Sequence, residues 1–490
     1  MKRFLIITLC FFSLQIQASY VWNESLKEAY NDIIHLKFEN GKNLLEKEKK
    51  LNPKNRLPYL LENYIYFLKI QIGEEQSDYE EGIDRKNHLL EKLKSSNVKS
   101  PWVLYSQSEF HLQWAANKLK FKDYLSAAID INKAYRLLQK NQKLFPNFKP
   151  NSKGLGVLHA LIGSVPDKYS WTLSIIGMNG SIDQGMSELA SLIEKLKQND
   201  QYSFLLDETY FLYSFLKMNL QNDRKGLQEI LRDIQKSDNL LLNFAACRIA
   251  SKIGKNDLAI EILKNREQSE AHYPFLYLEY LMGVYKQNKL DPNAIHHFDK
   301  YVKHFNGKNY IKSAYMRISW HYLLNGEIDN FELARANIYY FGTTMVGADK
   351  EAQESFEKKT QPQLHLLQAR LLFDGGYYNE ALGVINQIEN PMFFSNGHFI
   401  IEYFYRKGRI YDALEETSLA IENYHKTIDL GRHNRAFYAS KSALQIGLIF
   451  EEKGNIIKAK YYFEDCISMK DHQYEQSLEQ KAKAGINRLY

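Results

Sequence analysis

The sequence predicts an all-α fold of tandem helical hairpins, and three observations predict it. Ala381, Ala420 and Ala459 stand 39 residues apart, each at the same place in a repeated phrase. A second small residue precedes each by the same interval (Ala369, Gly408, Gly447), and large residues flank both: Leu372, Tyr411 and Phe450 on one side, Ile385, Tyr424 and Phe463 on the other. Antiparallel helices approach to roughly 8–10 Å only where the side chains at their crossing are small, so a small residue on each helix with large ones around it writes a hairpin. The chain is 44% hydrophobic and 25% charged with only 10 prolines, which suits a long array whose units bury themselves against their neighbours.

The phrase from Pro362 to Met469 resembles the tetratricopeptide repeat, with Gly376 and Gly454 where that repeat turns on glycine and Glu415 there in the middle copy. The resemblance implies a right-handed superhelical solenoid whose first helices line a concave, protein-binding surface. Carried onto this sequence, that surface consists of Gln363, Leu366, Arg370 and Phe373, then Glu402, Tyr405, Arg409 and Asp412, then Lys441, Leu444, Leu448 and Glu451. Arg370, Tyr405 and Arg409 together suit an extended peptide carrying a carboxylate.

From the start, Lys2 and Arg3 precede an apolar run from Phe4 to Leu14 and a more polar end at Gln15 to Ala18. That order predicts a cleaved secretory signal over residues 1–18 and a mature chain that is periplasmic or outer-membrane associated. Cys10 leaves with the signal; Cys247 and Cys466 fall at small-residue sites of helices and read as buried thiols, with a disulfide left open. The formal charge of +6 falls to +4 once Lys2 and Arg3 are removed, and no basic run interleaved with aromatics marks a nucleic-acid surface.

N-terminal helical repeats are expected over 19–150. A first hairpin runs from Trp22 to Pro53 with Ala29 and Gly41 at its crossing, helices follow over Leu57–Ile72 and Tyr79–Leu93, and a clearer unit spans His111–Leu138 around Ala115 and Ala127. Pro146, Pro150 and the polar run Asn151, Ser152, Lys153 then interrupt the array.

A glycine-rich segment over 151–197 carries Gly154, Gly156, Ser164, Pro166, Gly177, Gly180, Asp183 and Gly185. With no preceding strand and no Lys-Ser or Lys-Thr pair, these glycines read as sites of close backbone approach, not as a phosphate loop. The segment resembles a signature of the eukaryotic inclusion-body-clearance family, related to tetratricopeptide repeat protein thirty-nine, with Met178 and Ser181 replacing that family's Phe and Asp. This resemblance implies a helical scaffold with adaptor-like roles at membranes or lipid bodies and brings no catalytic residue.

Central divergent repeats are expected over 198–360, with Gly226, Ala259, Ala294 and Ala334 continuing the series before a 47-residue step to Ala381 that leaves room for an extra loop or helix around Tyr339–Lys359. The C-terminal repeats occupy 361–470, and residues 471–490 supply a capping helix with Leu478, Ala482, Gly485, Ile486 and Leu489 on one side. No metal, cofactor or catalytic motif is present; His296 and His297 are adjacent and point about 100° apart, and His159 is the histidine worth inspecting. The expected function is a non-enzymatic scaffold for a protein or peptide partner. The alternative is a structural protein docking on the outer membrane or a lipid surface through Met345 or Met392–Phe394.

Overall fold

The computed structural model describes residues 20–94, 99–165, 177–198, 201–221, 223–359 and 361–489. The expected signal and Pro166 lie outside the described residues. Within them the regular structure is helical, with 24 α-helices and two single 3-10 turns at Ser203–Leu205 and Pro391–Phe393. They form two compact units, residues 20–249 with 265–275, and residues 250–264 with 276–489.

In the first unit α1 (Glu24–Ile34) pairs with α2 (Phe38–Leu51), α3 (Leu57–Gly73) with α4 (Gln76–Lys94), and α5 (Pro101–Lys120) with α6 (Tyr124–Leu144). Next, α7 (Asn151–Gly163) packs on α8 (Ile182–Lys197), and α9 (Leu206–Leu220) on α10 (Arg224–Ile234). Starts are set by side-chain caps: Asn23 accepts from the Leu26 amide at 2.9 Å and Ser181 from the Gln184 amide at 3.1 Å. The array does not break at Asn151 to Lys153, as the polar run suggested; a new helix begins there behind Pro150.

After α11 (Leu240–Lys252), the second unit contains α12 (Asn256–Asn265) and the pairs α13 (Tyr277–Asn288) with α14 (Ala294–His304) and α15 (Ile311–Leu324) with α16 (Ile328–Tyr340). The extra helix is α17 (Gly347–Glu357). Its Asp349 accepts from the Tyr310 amide at 2.6 Å and the Ser313 amide at 2.9 Å, capping α15 from outside, while Ala352 is buried beside Phe331 and Ile338. Three regular pairs follow: α18 (Leu364–Asp374) with α19 (Tyr378–Ile385), α20 (Gly397–Ala413) with α21 (Thr417–Gly431), and α22 (Tyr438–Glu452) with α23 (Ile456–Ser468); α24 (Glu475–Arg488) ends the unit.

One turn recurs through both units. Leu36, Lys122, Gly254, Leu290, Gly326, Gly376, Glu415 and Gly454 all have left-handed backbone and stand at the bend of a hairpin. Each donates its amide three residues back, and the following residue donates five back, as in Glu415 to Asp412 (3.1 Å) and Glu416 to Tyr411 (2.9 Å). This is the Schellman closure, which satisfies the last carbonyls of the first helix and reverses the chain in the fewest residues. Glycine adopts that conformation freely, while Leu36, Lys122, Leu290 and Glu415 hold it at a cost of roughly 1–2 kcal/mol each.

The crossings are as tight as the small residues imply. Ala369, Ala381, Ala420 and Ala459 have no exposed surface. A methyl group on Gly408 would stand 2.7 Å from the Tyr424 ring, and one on Gly447 would stand 2.6 Å from Phe463. Gly485 on α24 also presses on Phe463, with a methyl there 2.6 Å from the ring, so α24 packs on the last ring as a first helix packs on the hairpin before it. Ala334 departs from the expected register: the residue five past the turn at Gly326, where Ala381 follows Gly376, is Phe331, buried opposite Ser319.

Glu415→Gly is expected to stabilise the second unit by about 1 kcal/mol in urea unfolding followed by circular dichroism, because the exposed glutamate gives up its left-handed strain. Gly408→Val, which drives methyls into Tyr424, is expected to cost about 1–3 kcal/mol in the same measurement.

Candidate functional site

The two units treat the space between their first helices differently. In the first unit five first helices send side chains to one buried point: Tyr30 from α1, Tyr64 from α3, Tyr105 and Glu109 from α5, Lys153 from α7 and Glu208 from α9. The Lys153 ammonium, 1% exposed, bonds the Glu109 carboxylate at 2.9 Å, the Tyr64 hydroxyl at 3.2 Å and the Glu208 carboxylate. Tyr64 donates to Glu109 at 2.9 Å, and Tyr30 donates to Glu208.

Burial alone would lower the lysine's pKa, but the two carboxylates outweigh it and hold the ammonium well above its ordinary value; burial raises Glu109. Trp22, Trp102, Phe148, Tyr202 and Phe204 close over the cluster, with Trp22 and Phe204 rings 4.6 Å apart and Trp102 and Phe148 4.8 Å apart. The space is filled by the chain's own side chains. Sequence reading placed Lys153 in a break, since its two carboxylate partners lie 44 residues before it and 55 after.

The glycine-rich stretch is built for close approach. A methyl on Gly156 would meet Leu189 at 2.8 Å, and one on Gly185 would meet the Gly156 carbonyl at 2.3 Å, so α7 and α8 cross almost backbone to backbone. A methyl on Gly154 would meet Leu138 at 2.8 Å, one on Gly180 would meet the His159 backbone at 2.6 Å, and Gly177 has left-handed backbone. Ser164 donates to the Leu161 carbonyl at 2.7 Å at the end of α7, and Asp183 accepts from Gln221 at 3.2 Å. His159 is held by Glu188 at 2.8 Å and Gln184 at 3.0 Å.

The second unit leaves a trough open. It has a volume of about 680 Å³ and lies between the first helices α15, α18, α20 and α22 on one side and α17 with the loop before α24 on the other. Gln473 of that loop donates to Glu354 of α17 at 2.7 Å. Arg370 faces the trough but is committed: it bonds Glu351 at 2.6 Å, lies 3.8 Å from Asp374 and stacks over Trp320 at 5.1 Å. Arg370 holds Glu351 below the usual carboxylate range, and in turn Glu351 and Asp374 outweigh the effect of burial and raise the guanidinium.

Arg406 is tied to Glu402 at 2.7 Å. Arg409 is looser, 4.0 Å from Asp374, with its plane over Phe373 at 4.1 Å and Tyr405 at 5.8 Å.

Of the residues picked from sequence, the structure brings Gln363, Arg370, Glu402, Tyr405 and Arg409 to this trough. Phe373 lies beneath Arg409, and Leu366 and Leu444 are core residues. Asp412 is not part of the trough's lining and accepts from Tyr424 at 3.1 Å, and burial raises its pKa. Lys441 is pushed down to about 8 by burial, with Lys481 and Arg409 nearby. Glu451 is taken by Arg488 of α24 at 2.7 Å, because the terminal helix covers the last repeat's face.

Among the lining residues that sequence reasoning did not pick, three shape the wall. Tyr438 stands one helical turn before Lys441 and could have been found from that spacing, Arg406 was passed over for its neighbours, and Trp320 belongs to the hairpin whose register Phe331 shifts.

No known protein-family profile matches the sequence, and no curated protein does. Among solved structures the chain is similar to the crystal structure of the yeast Tom70, at 13% identity over 95% of each chain with a TM-score of 0.24, a superposition too loose to carry an argument.

Lys153→Met is expected to destabilise the first unit by roughly 3–5 kcal/mol at neutral pH, since it leaves buried carboxylates without their counter-charge. Burial raises the folded pKa of Glu109, so its contribution is favourable below the unfolded value and lost as pH rises through the folded one. The deficit of this variant should therefore narrow as pH is lowered toward about 4–5, read by urea unfolding at several pH values.

Proposed function

We propose that the protein is a non-enzymatic scaffold that binds a segment of another polypeptide in the trough of its second unit. The observation that carries this reading is the convergence of Trp320, Arg370, Tyr405, Arg409 and Tyr438, from four first helices, on one open cleft. Aromatic and arginine side chains on a rigid wall are the groups that dominate protein recognition, because they bring large contact area and planar hydrogen bonding with little loss of freedom. Their placement on helices locked by buried crossings and closed turns keeps the wall pre-organised, which lowers the entropy lost on binding.

The site of action we propose is outside the cytoplasm, in the periplasm or at the outer membrane, on the strength of the charged start, apolar run and polar end of residues 1–18. The likeness of the glycine-rich stretch to the inclusion-body-clearance family is in keeping with an adaptor. A second reading, docking on a lipid surface, is favoured by one observation: Phe393 is 85% exposed and Met392 58%, side by side in the turn Pro391–Phe393. No described helix is long and apolar enough to cross a membrane.

Arg409→Glu is expected to reduce recovery of the partner with the tagged mature chain from cell envelopes several-fold while helicity is unchanged, measured by quantitative mass spectrometry and circular dichroism. Arg370→Glu is expected to lower partner recovery and also the melting temperature, because it sets a third carboxylate against Glu351 and Asp374. Unchanged recovery with both variants, together with flotation of the wild type on lipid vesicles, would replace the peptide reading by the lipid one.

A further inference from the structure

The floor of the trough holds two hydroxyls with no partner. Tyr405 of α20 and Tyr438 at the start of α22 are each more than nine-tenths buried, with ring centroids 4.9 Å apart. Among the described residues neither hydroxyl makes a hydrogen bond, although both side chains line the cleft. Neither hydroxyl oxygen is itself sealed off: both open on the cleft, where a water or a ligand's acceptor can reach them.

What surrounds them narrows the group they would take. The charged neighbours are Arg370, Arg406 and Arg409 with Glu402 and Asp374, and His398 lies 5.4 Å from the Tyr438 ring. The arginines can only donate, and Glu402 is engaged by Arg406 and Glu351 by Arg370. Burial raises both phenols, so both carry their protons at neutral pH and act as donors. Arg409 stacks on Phe373 and Tyr405 and touches Asp374 only at 4.0 Å, so its guanidinium edge has hydrogen-bonding capacity to spare. The charges around the hydroxyls are nearly balanced, but the groups left with hydrogen-bonding capacity, the two phenols and the Arg409 edge, can all donate, and a negative acceptor suits them.

Building on the peptide-binding reading above, we infer that Tyr405 and Tyr438 form a carboxylate-reading subsite. An aspartate or glutamate side chain of the bound polypeptide accepts from both tyrosine hydroxyls, and Arg409 supplies the counter-charge. Short hydroxyl-to-carboxylate bonds of this kind are charge-assisted and stronger than neutral ones. The arrangement narrows the one expected from sequence, where Arg370, Tyr405 and Arg409 together were to suit a carboxylate; Arg370 is already held by Glu351.

The test uses the mature full chain and arrayed short peptides in three matched sets: Asp/Glu side chains with an amidated end, Asn/Gln side chains with an amidated end, and Asn/Gln side chains with a free terminal carboxylate. The wild type should prefer the acidic set over the amide set by about tenfold. The double variant Tyr405→Phe/Tyr438→Phe should lose that preference while its melting temperature holds or rises, because the hydroxyls removed had no partner within the protein. The inference is overturned if the double variant keeps the acidic preference, if its melting temperature falls, or if the free-terminus set binds as well as the acidic one. Binding by the wild type without regard to charge would also overturn it and leave the peptide-scaffold reading standing; binding of no peptide at all would remove both.

Discussion

The Phe463 ring is clamped between two glycines, Gly447 before it and Gly485 after it, each with its missing methyl 2.6 Å from the ring. The same relation joins Gly408 to Tyr424 and Gly283 to Phe298. Nothing larger than hydrogen fits at these points, so the spacing of the glycines along the chain dictates where one helix can lie on the next. Helix pairs placed this way repeat their orientation from hairpin to hairpin, and side chains at equivalent places on successive first helices arrive on a common wall. The Schellman turns complete the constraint by reversing the chain without leaving helix-end carbonyls unpaired.

That wall serves two purposes in one chain. In the first unit it is closed by a lysine, two glutamates and three tyrosines under a lid of aromatic rings, a cluster whose members come from five helices and gather around the Lys153 ammonium. In the second unit the regular hairpins leave the wall open, and α17 with the loop before α24 stands across from it as an opposite bank. The arginines on the open wall are mostly balanced by carboxylates from neighbouring helices, which keeps the cleft from being a bare cationic patch and leaves the tyrosine hydroxyls and Arg409 with hydrogen-bonding capacity to spare.

The sequence made the hairpins legible because the crossing constraint is local and periodic: Ala381, Ala420 and Ala459 state it openly at 39-residue spacing. The turns were legible only in part. Gly376 and Gly454 announce a left-handed residue, but Leu36, Lys122 and Leu290 hold the same conformation without the residue that would have revealed it. Side chains that point to the trough could be picked from helical phase, as Arg370, Tyr405 and Arg409 were. Their partners could not, since Glu351 comes from a helix in the irregular 47-residue step and has no counterpart in the other repeats. Lys153 shows the same limit from the other side, a charge that looks like a solvated linker until folding brings Glu109 and Glu208 around it.

The central claim is that the open wall of the second unit, and not the outer surface made by second helices, receives another polypeptide. Site-specific photo-crosslinking in the full chain tests it most directly, with a benzophenone amino acid in place of Tyr474 at the trough and, separately, in place of Ile457 on α23, which is 84% exposed. Adducts from the Tyr474 site that map to one continuous segment of a partner, with none from Ile457, are the result predicted. Adducts from Ile457 alone, or equal labelling from both sites, would contradict it.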